Sequence, residues 1–157
     1  MRMKFQNLLF YTVLAIVLVC LSGCQASKGK VVAHVPYKTV ENYFVRNDVE
    51  GMPPITIKAS DEFERYFGMA ATMGPDGRPT DVDFNKYYVI CVALPPTDLD
   101  TDLSVESLSE ARGGKLILRY VVRRGERRLY SIQPLLLLMV DKKYEMPVEL
   151  KAELRNN

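Results

Sequence analysis

Beyond the N-terminal segment, two stretches of the chain are apolar without a break, Tyr87 to Leu94 (YYVICVAL) and Leu135 to Val140 (LLLLMV), and both adjoin prolines, Pro95-Pro96 and Pro134. Runs this short that end at structure-breaking residues predict strands covered on both faces. Around them the pattern alternates. Leu103 to Leu108 (LSVESL) and Lys115 to Val122 (KLILRYVV) read as strands joined by a turn at Gly113-Gly114, and Leu129 to Ile132 leads through Gln133-Pro134 into the second apolar run. A proline at that point fits a strand start or a bulge. Near the end, Val148, Leu150, Ala152 and Leu154 alternate with Glu149, Lys151 and Glu153, which predicts a last half-buried strand.

Upstream, Val40 to Arg46 (VENYFVR) and Ile55 to Lys58 (ITIK) are β-branched and aromatic runs separated by NDVEGMPP, and they predict an early strand pair. One helix is expected, in SDEFERYFG: Ser60 or Asp61 caps it, Glu64 stands at the capping-box position for Asp61, Phe63 and Phe67 share a face, and Gly68 stops it. Many strands with one helix ahead of them define the expected fold. It is a mainly β, single antiparallel β-sandwich or half-barrel domain with one short α-helix, preceded by a lipoprotein signal peptide.

The segment LRYVVRRGERRLYSI predicts a hairpin, because Gly125-Glu126 fits a two-residue loop with glycine first. In that register Arg124 pairs with Arg127 and Arg123 with Arg128; Leu118, Tyr120, Val122 and Leu129 face the core, while Arg119, Val121, Tyr130 and Ile132 form the other face. Four arginines would then crowd the tip with Glu126 alone to offset them. Arginine forks bind carboxylates and phosphates in a bidentate manner, so Arg119, Arg123, Arg124, Arg127, Arg128 and Tyr130 are the candidate partner-binding residues. A solvated hairpin end that discourages edge-to-edge aggregation accounts for the same charges more simply.

The start of the chain adds an address. Arg2 and Lys4 precede an apolar run from Leu8 to Leu21 broken by Thr12, and a helix crossing hydrocarbon needs ~20 residues, so a cleaved signal peptide is favoured over a permanent span. Leu21-Ser22-Gly23-Cys24 resembles the bacterial lipobox, which implies cleavage after residue 23, acylation of Cys24, a tether over residues 24–30 and a domain over 31–157. Gln25, in place of Asp, resembles an outer-membrane sorting signal, and no acidic run follows it, so the expected location is the outer membrane facing the periplasm.

Removing residues 1–23 takes away Arg2 and Lys4 and no acid, leaving 19 basic and 19 acidic residues. That balance gives no charge argument for nucleic acid. Once Cys20 is removed and Cys24 acylated, Cys91 is the one thiol left, so no intramolecular disulfide can form. The absence of tryptophan weighs against a sugar-stacking platform.

Catalytic signals are missing. His34 is the single histidine and reads as an ordinary strand or linker residue, and Cys91 lies inside an apolar strand, where burial raises a thiol's pKa. Asp98, Asp100 and Asp102 in TDLDTD resemble the opening of a calcium loop, but the glycine and glutamate that such a loop needs are absent, and a polar connection between strands is the better account. Asp81 and Asp83 read as turn and strand-start residues. No enzyme activity, cofactor or metal is expected.

FERYFG, DVDFNKYYVICVAL, LSVESL, LILRYVV and QPLLLLMV together resemble the C-terminal domain of PrcB-type lipoproteins, accessory subunits of bacterial surface-protease complexes, over residues 60–141. PPTDLDTD stands where that family has a glycine-rich loop. The resemblance implies a non-enzymatic β-rich binding or assembly domain, anchored to the membrane by lipid and partnered by another envelope protein. A ligand- or glycan-binding lipoprotein using tyrosines such as Tyr43 or Tyr130 is the alternative.

Overall fold

The computed structural model describes residues 33–70 and 77–156. In chain order the strands are β1 (Tyr37–Val40), β2 (Tyr43–Val45), β3 (Thr56–Ile57), β4 (Phe67–Met69), β5 (Tyr87–Ala93), β6 (Thr97–Ala111), β7 (Lys115–Ile132), β8 (Leu135–Asp141) and β9 (Val148–Asn156). One α-helix, α1 (Ser60–Tyr66), lies between β3 and β4, and a 3-10 turn (Lys142–Tyr144) precedes β9. They form a four-stranded sheet in the order β1-β8-β5-β3, a three-stranded sheet β6-β7-β9 and a small β2-β4 pair. The architecture is mainly β and sandwich-like, with no closed barrel.

The two apolar runs become β5 and β8, paired from Tyr87–Asp141 to Ala93–Leu135 at the centre of the four-stranded sheet. Each is buried on both faces, as their sequence requires. On one face Tyr88, Ile90, Val92, Leu136, Leu138 and Val140 pack against Leu108, Leu116, Leu118, Tyr120 and Val122 of the three-stranded sheet. On the other, Val89, Cys91, Leu137 and Met139 meet Phe63 and Phe67, which the helix region supplies. Fully burying one Leu or Ile side chain contributes about 1.5–3 kcal/mol, so these two layers carry the fold.

The backbone path explains the layering. β5 continues into β6 through Leu94-Pro95-Pro96, and β7 continues into β8 through Gln133-Pro134, with the Leu94 amide donating to the Pro134 carbonyl at 3.0 Å. Residues 87–141 are thus one long hairpin folded over on itself at a proline corner, so that one half packs on the other. Its tip is the expected turn, with Gly113 (φ 90°) and Gly114 (φ 70°) in the left-handed region that glycine tolerates.

Several expectations change. The early strands do not pair with each other: β1 pairs with β8, β2 with β4, and β3 with β5. No hairpin turn forms at Gly125-Glu126. There β7 runs on, and Gly125 and Glu126 stand opposite the single residue Asp100 as a bulge between the Leu99–Arg127 and Thr101–Arg124 pairs. A glycine within a strand often marks such a bulge. Consequently Leu129 lies outside the core, and Val121 is buried on the face expected to be open. Finally, β9 pairs with β7 in parallel, the one parallel pair among the described strands. A parallel pair needs a crossover, and β8 supplies it by passing through the opposite sheet.

The helix forms over Ser60–Tyr66, but Ala59 occupies the N-cap with no side-chain bond. Glu62 accepts from the Lys58 amide at 3.4 Å, and the Ser60 hydroxyl donates to Glu64 at 3.0 Å. A seven-residue helix is marginal alone. Phe63 holds it in place, with ring centroids 4.9 Å from Tyr43, 4.9 Å from Phe67 and 5.6 Å from Phe84. Gly68 does not stop the helix; the chain is extended from Phe67 onward. Its role is close approach, since a Cβ there would lie 2.5 Å from the Phe44 ring.

These two glycine environments predict different tolerances. Gly113→Ala forces a left-handed alanine and lowers stability by about 1–2 kcal/mol. At Gly125 an added Cβ meets nothing closer than 3.4 Å and φ is ordinary, so Gly125→Ala leaves stability within about 0.5 kcal/mol of wild type. Urea unfolding of both variants checks this, and an equal loss at Gly125 would reinstate a tight turn.

Candidate interaction site at the folded corner

Where the long hairpin folds over, β7 carries more residues than β6. Between the Thr97–Ile132 and Leu99–Arg127 pairs, Asp98 on β6 faces the four residues Arg128, Leu129, Tyr130 and Ser131 on β7. This excess loops outward. Leu129 is fully exposed, at 106% of its reference area, and Tyr130 is 55% exposed. With Asp100, Glu126, Arg127 and Arg128 they line a shallow depression of about 480 Å³.

The arginines there are not the mutually repelling tip that the hairpin reading implied. Arg127 pairs with Asp98 at 2.7 Å, Arg128 with Asp100 at 2.6 Å and Arg123 with Asp102 at 3.4 Å. TDLDTD is therefore a strand and not a connecting loop: it opens β6, and its alternate aspartates meet the arginines of β7 one for one. Arg128 is held twice, since it also donates to the Tyr130 hydroxyl at 2.5 Å and lies 5.7 Å from the centroid of that ring. Asp100 first, and then Tyr130, raise the guanidinium pKa further above its ordinary value, so the charge is permanent.

The candidate residues divide by position. Arg124, Arg127, Arg128 and Tyr130 gather at the corner, and Arg124 borders a niche with Leu94, Pro95, Pro96, Thr97 and Thr101. Arg123 sits just inside it and donates to Ser104 at 3.1 Å. Arg119 is exposed farther along β7, beside Ser107 and Lys151. Arg119 and Arg124 have no ion-pair partner among the described residues. Sequence reasoning does not reach Leu129 or the three aspartates as site residues, because the aspartates stand two apart and their arginine partners at 123, 127 and 128, and only the bulged register of β6 and β7 brings them together. Cys24 lies outside the described residues.

Other candidates have structural roles. The Tyr43 hydroxyl donates to the Thr80 carbonyl at 3.0 Å, and its ring packs edge-on against Phe63. His34 bridges Ser109 as an exposed strand residue. Asp83 accepts the Asn85 amide at 3.0 Å, which lowers its pKa and organises the turn into β5. No group of His, Cys, Asp and Glu able to hold a metal occurs among the described residues, and no helix among them is long and apolar enough to cross a membrane. Compared with known proteins, the chain matches no family model, no curated protein and no solved structure.

Cys91 is buried in β5, and burial pushes its thiol up to about 12. Burial, aided by Glu145, likewise pushes Tyr88 up to about 12. Both groups keep their protons in the folded chain and lose them near 9.0 and 10.0 when unfolded. Their proton-linked stability is therefore intact below pH 9 and is lost as pH rises from 9.0 through about 12. Denaturant titrations across that window should show the midpoint falling, and at pH 8 a thiol reagent should label Cys91 in the unfolded chain alone. Rapid labelling of the native protein would refute the burial of the thiol.

Proposed function

We propose that the protein is a non-enzymatic envelope lipoprotein, anchored through Cys24 to the outer membrane facing the periplasm, that binds or helps assemble another envelope protein through the folded corner. The observation that carries this reading is the fully exposed Leu129 beside a Tyr130 and Arg128 that already hold one another. Exposed large apolar groups next to ordered Tyr and Arg have the composition of binding hot spots, and pre-ordering reduces the entropy lost on association. The chain enters the described fold beside Ser109, near the glycine turn. The corner lies roughly 30 Å from that point along the ladder.

A role in a protease complex is the form of this reading that the resemblance to PrcB-type lipoproteins supports. Ligand or glycan binding is the second reading, favoured by the exposed Tyr130 ring over a polar depression.

A photo-crosslinking residue placed at Leu129 in the native envelope tests the proposal. It should capture a protein reproducibly, and Tyr130→Ala should reduce that capture at least about fivefold. Leu129→Asp should abolish association in a pull-down while leaving the melting curve unchanged, because the side chain contributes nothing to the core. Capture no greater than from the same probe at exposed Lys38, together with a Tyr130-dependent hit on a glycan array, would replace the first reading with the second.

A further inference from the structure

The three-stranded sheet ends on β9, whose outer edge has no strand beside it among the described residues. An open edge invites pairing, and native proteins usually blunt it with one sign of charge, a proline or a short strand. β9 is nine residues long, contains no proline, and leaves Leu154 66% exposed. Its outward face instead reads Glu149, Lys151, Glu153, Arg155, with strictly alternating charge.

Such a series is complementary to itself when reversed. If two copies of β9 pair antiparallel about Ala152, Glu149 faces Arg155 of the second copy and Lys151 faces its Glu153, and the two-fold axis repeats both pairs. The other face sets Leu150 opposite the exposed Leu154. A slip of two residues in the pairing sum brings Glu149 opposite Glu153 and Lys151 opposite itself, and a slip of four keeps fewer opposite-charge pairs, so electrostatics favours the register centred on Ala152. Within one chain these charges are paired at the surface, Glu149 with Lys115 and, at 3.2 Å, with Lys151, and Arg155 with Glu153 at 2.8 Å and Glu106 at 3.5 Å, while every one of these side chains stays partly exposed. They remain available to a facing strand.

From this edge we infer that the protein forms a two-fold homodimer through β9, extending the sheet to β6-β7-β9-β9-β7-β6 across two copies. The occupant of the edge is a second copy of this chain, because the recognition pattern is one that the chain itself carries in reverse.

Cross-linking of the full-length protein in detergent tests the pairing. Directly opposed residues in an antiparallel pair have Cα atoms about 4.5–5.5 Å apart, within disulfide range. Ala152→Cys should therefore give a covalent dimer under mild oxidation, well above the level from wild type or from Arg112→Cys in the exposed turn. In that background Lys151→Glu places like charges opposite each other twice and should lower the dimer fraction about tenfold. Adding Glu153→Lys exchanges the signs and should restore it. Ala152→Cys dimer no greater than at Arg112, indifference to Lys151→Glu, failure of the double exchange to restore dimer, or cross-linking to a different polypeptide would each overturn the inference. Circular dichroism on the charge variants separates loss of pairing from loss of fold.

Discussion

The structure depends on a covering requirement. β5 and β8 are apolar on both sides, so their ladder cannot face water on either. One strand pair supplies a large share of its own cover, because it is long enough to fold back over itself. Leu116, Leu118, Tyr120 and Val122 at the far end of the hairpin return to meet Ile90, Val92, Leu136 and Leu138 at the near end. The second face needs different material, and Phe63 provides it by drawing α1, β2 and the segment around Phe84 into a single aromatic cluster. No charged side chain is buried among the described residues, and the hydroxyl of the fully buried Tyr88 donates to the Tyr144 carbonyl at 3.2 Å, so apolar packing does most to hold the layers together.

Folding the hairpin over has a geometric consequence at the corner. Strands that pass from one sheet to another do so through bulges and bends. Here the surplus length lies on β7, first at Gly125-Glu126 and then at Arg128–Ser131. Surplus residues on a bend cannot all point inward, and among them the large apolar side chain of Leu129 is fully exposed. The ion pairs of Asp98 and Asp100 with Arg127 and Arg128 then fix the direction of the bulge, although exposed pairs of this kind contribute little to stability. Their value is in orientation. They keep the guanidinium of Arg128 against Tyr130, so the exposed group is ordered before any partner arrives.

The parts of the fold that follow from local pattern were legible in the sequence. Unbroken apolar runs specified two doubly covered strands, paired glycines specified the turn at Gly113-Gly114, and Phe63 with Phe67 specified the buried side of the helix. What failed depended on distant partners. Arg-Gly-Glu-Arg carries the local chemistry of a tight turn, and nothing within that segment reveals that β6 will stay beside it and convert the glycine to a bulge. Leu129 was assigned to the core for the same reason, since its face was inferred from a register that does not form. Tyr43 and the strand pairings before β5 also turn on long-range contacts, with Thr80, β4, β5 and β8, that no short pattern encodes.

The corner and the β9 edge are compatible in one particle. The two-fold axis of an antiparallel strand pair runs perpendicular to the sheet, so it keeps both copies of the four-stranded sheet on the same side and sends the two corners to opposite ends. It also sets the two points at which the chain joins the sheet, beside Ser109, at equal height along the axis. A nine-residue edge is a small contact by the standard of stable dimers. Under the proposed lipid anchoring, confinement of both copies to one surface would raise their effective concentration, so that a contact too weak to persist in dilute solution becomes sufficient there. In that arrangement each particle presents two ordered Leu129–Tyr130 corners, and a partner able to engage both would gain by the same effect.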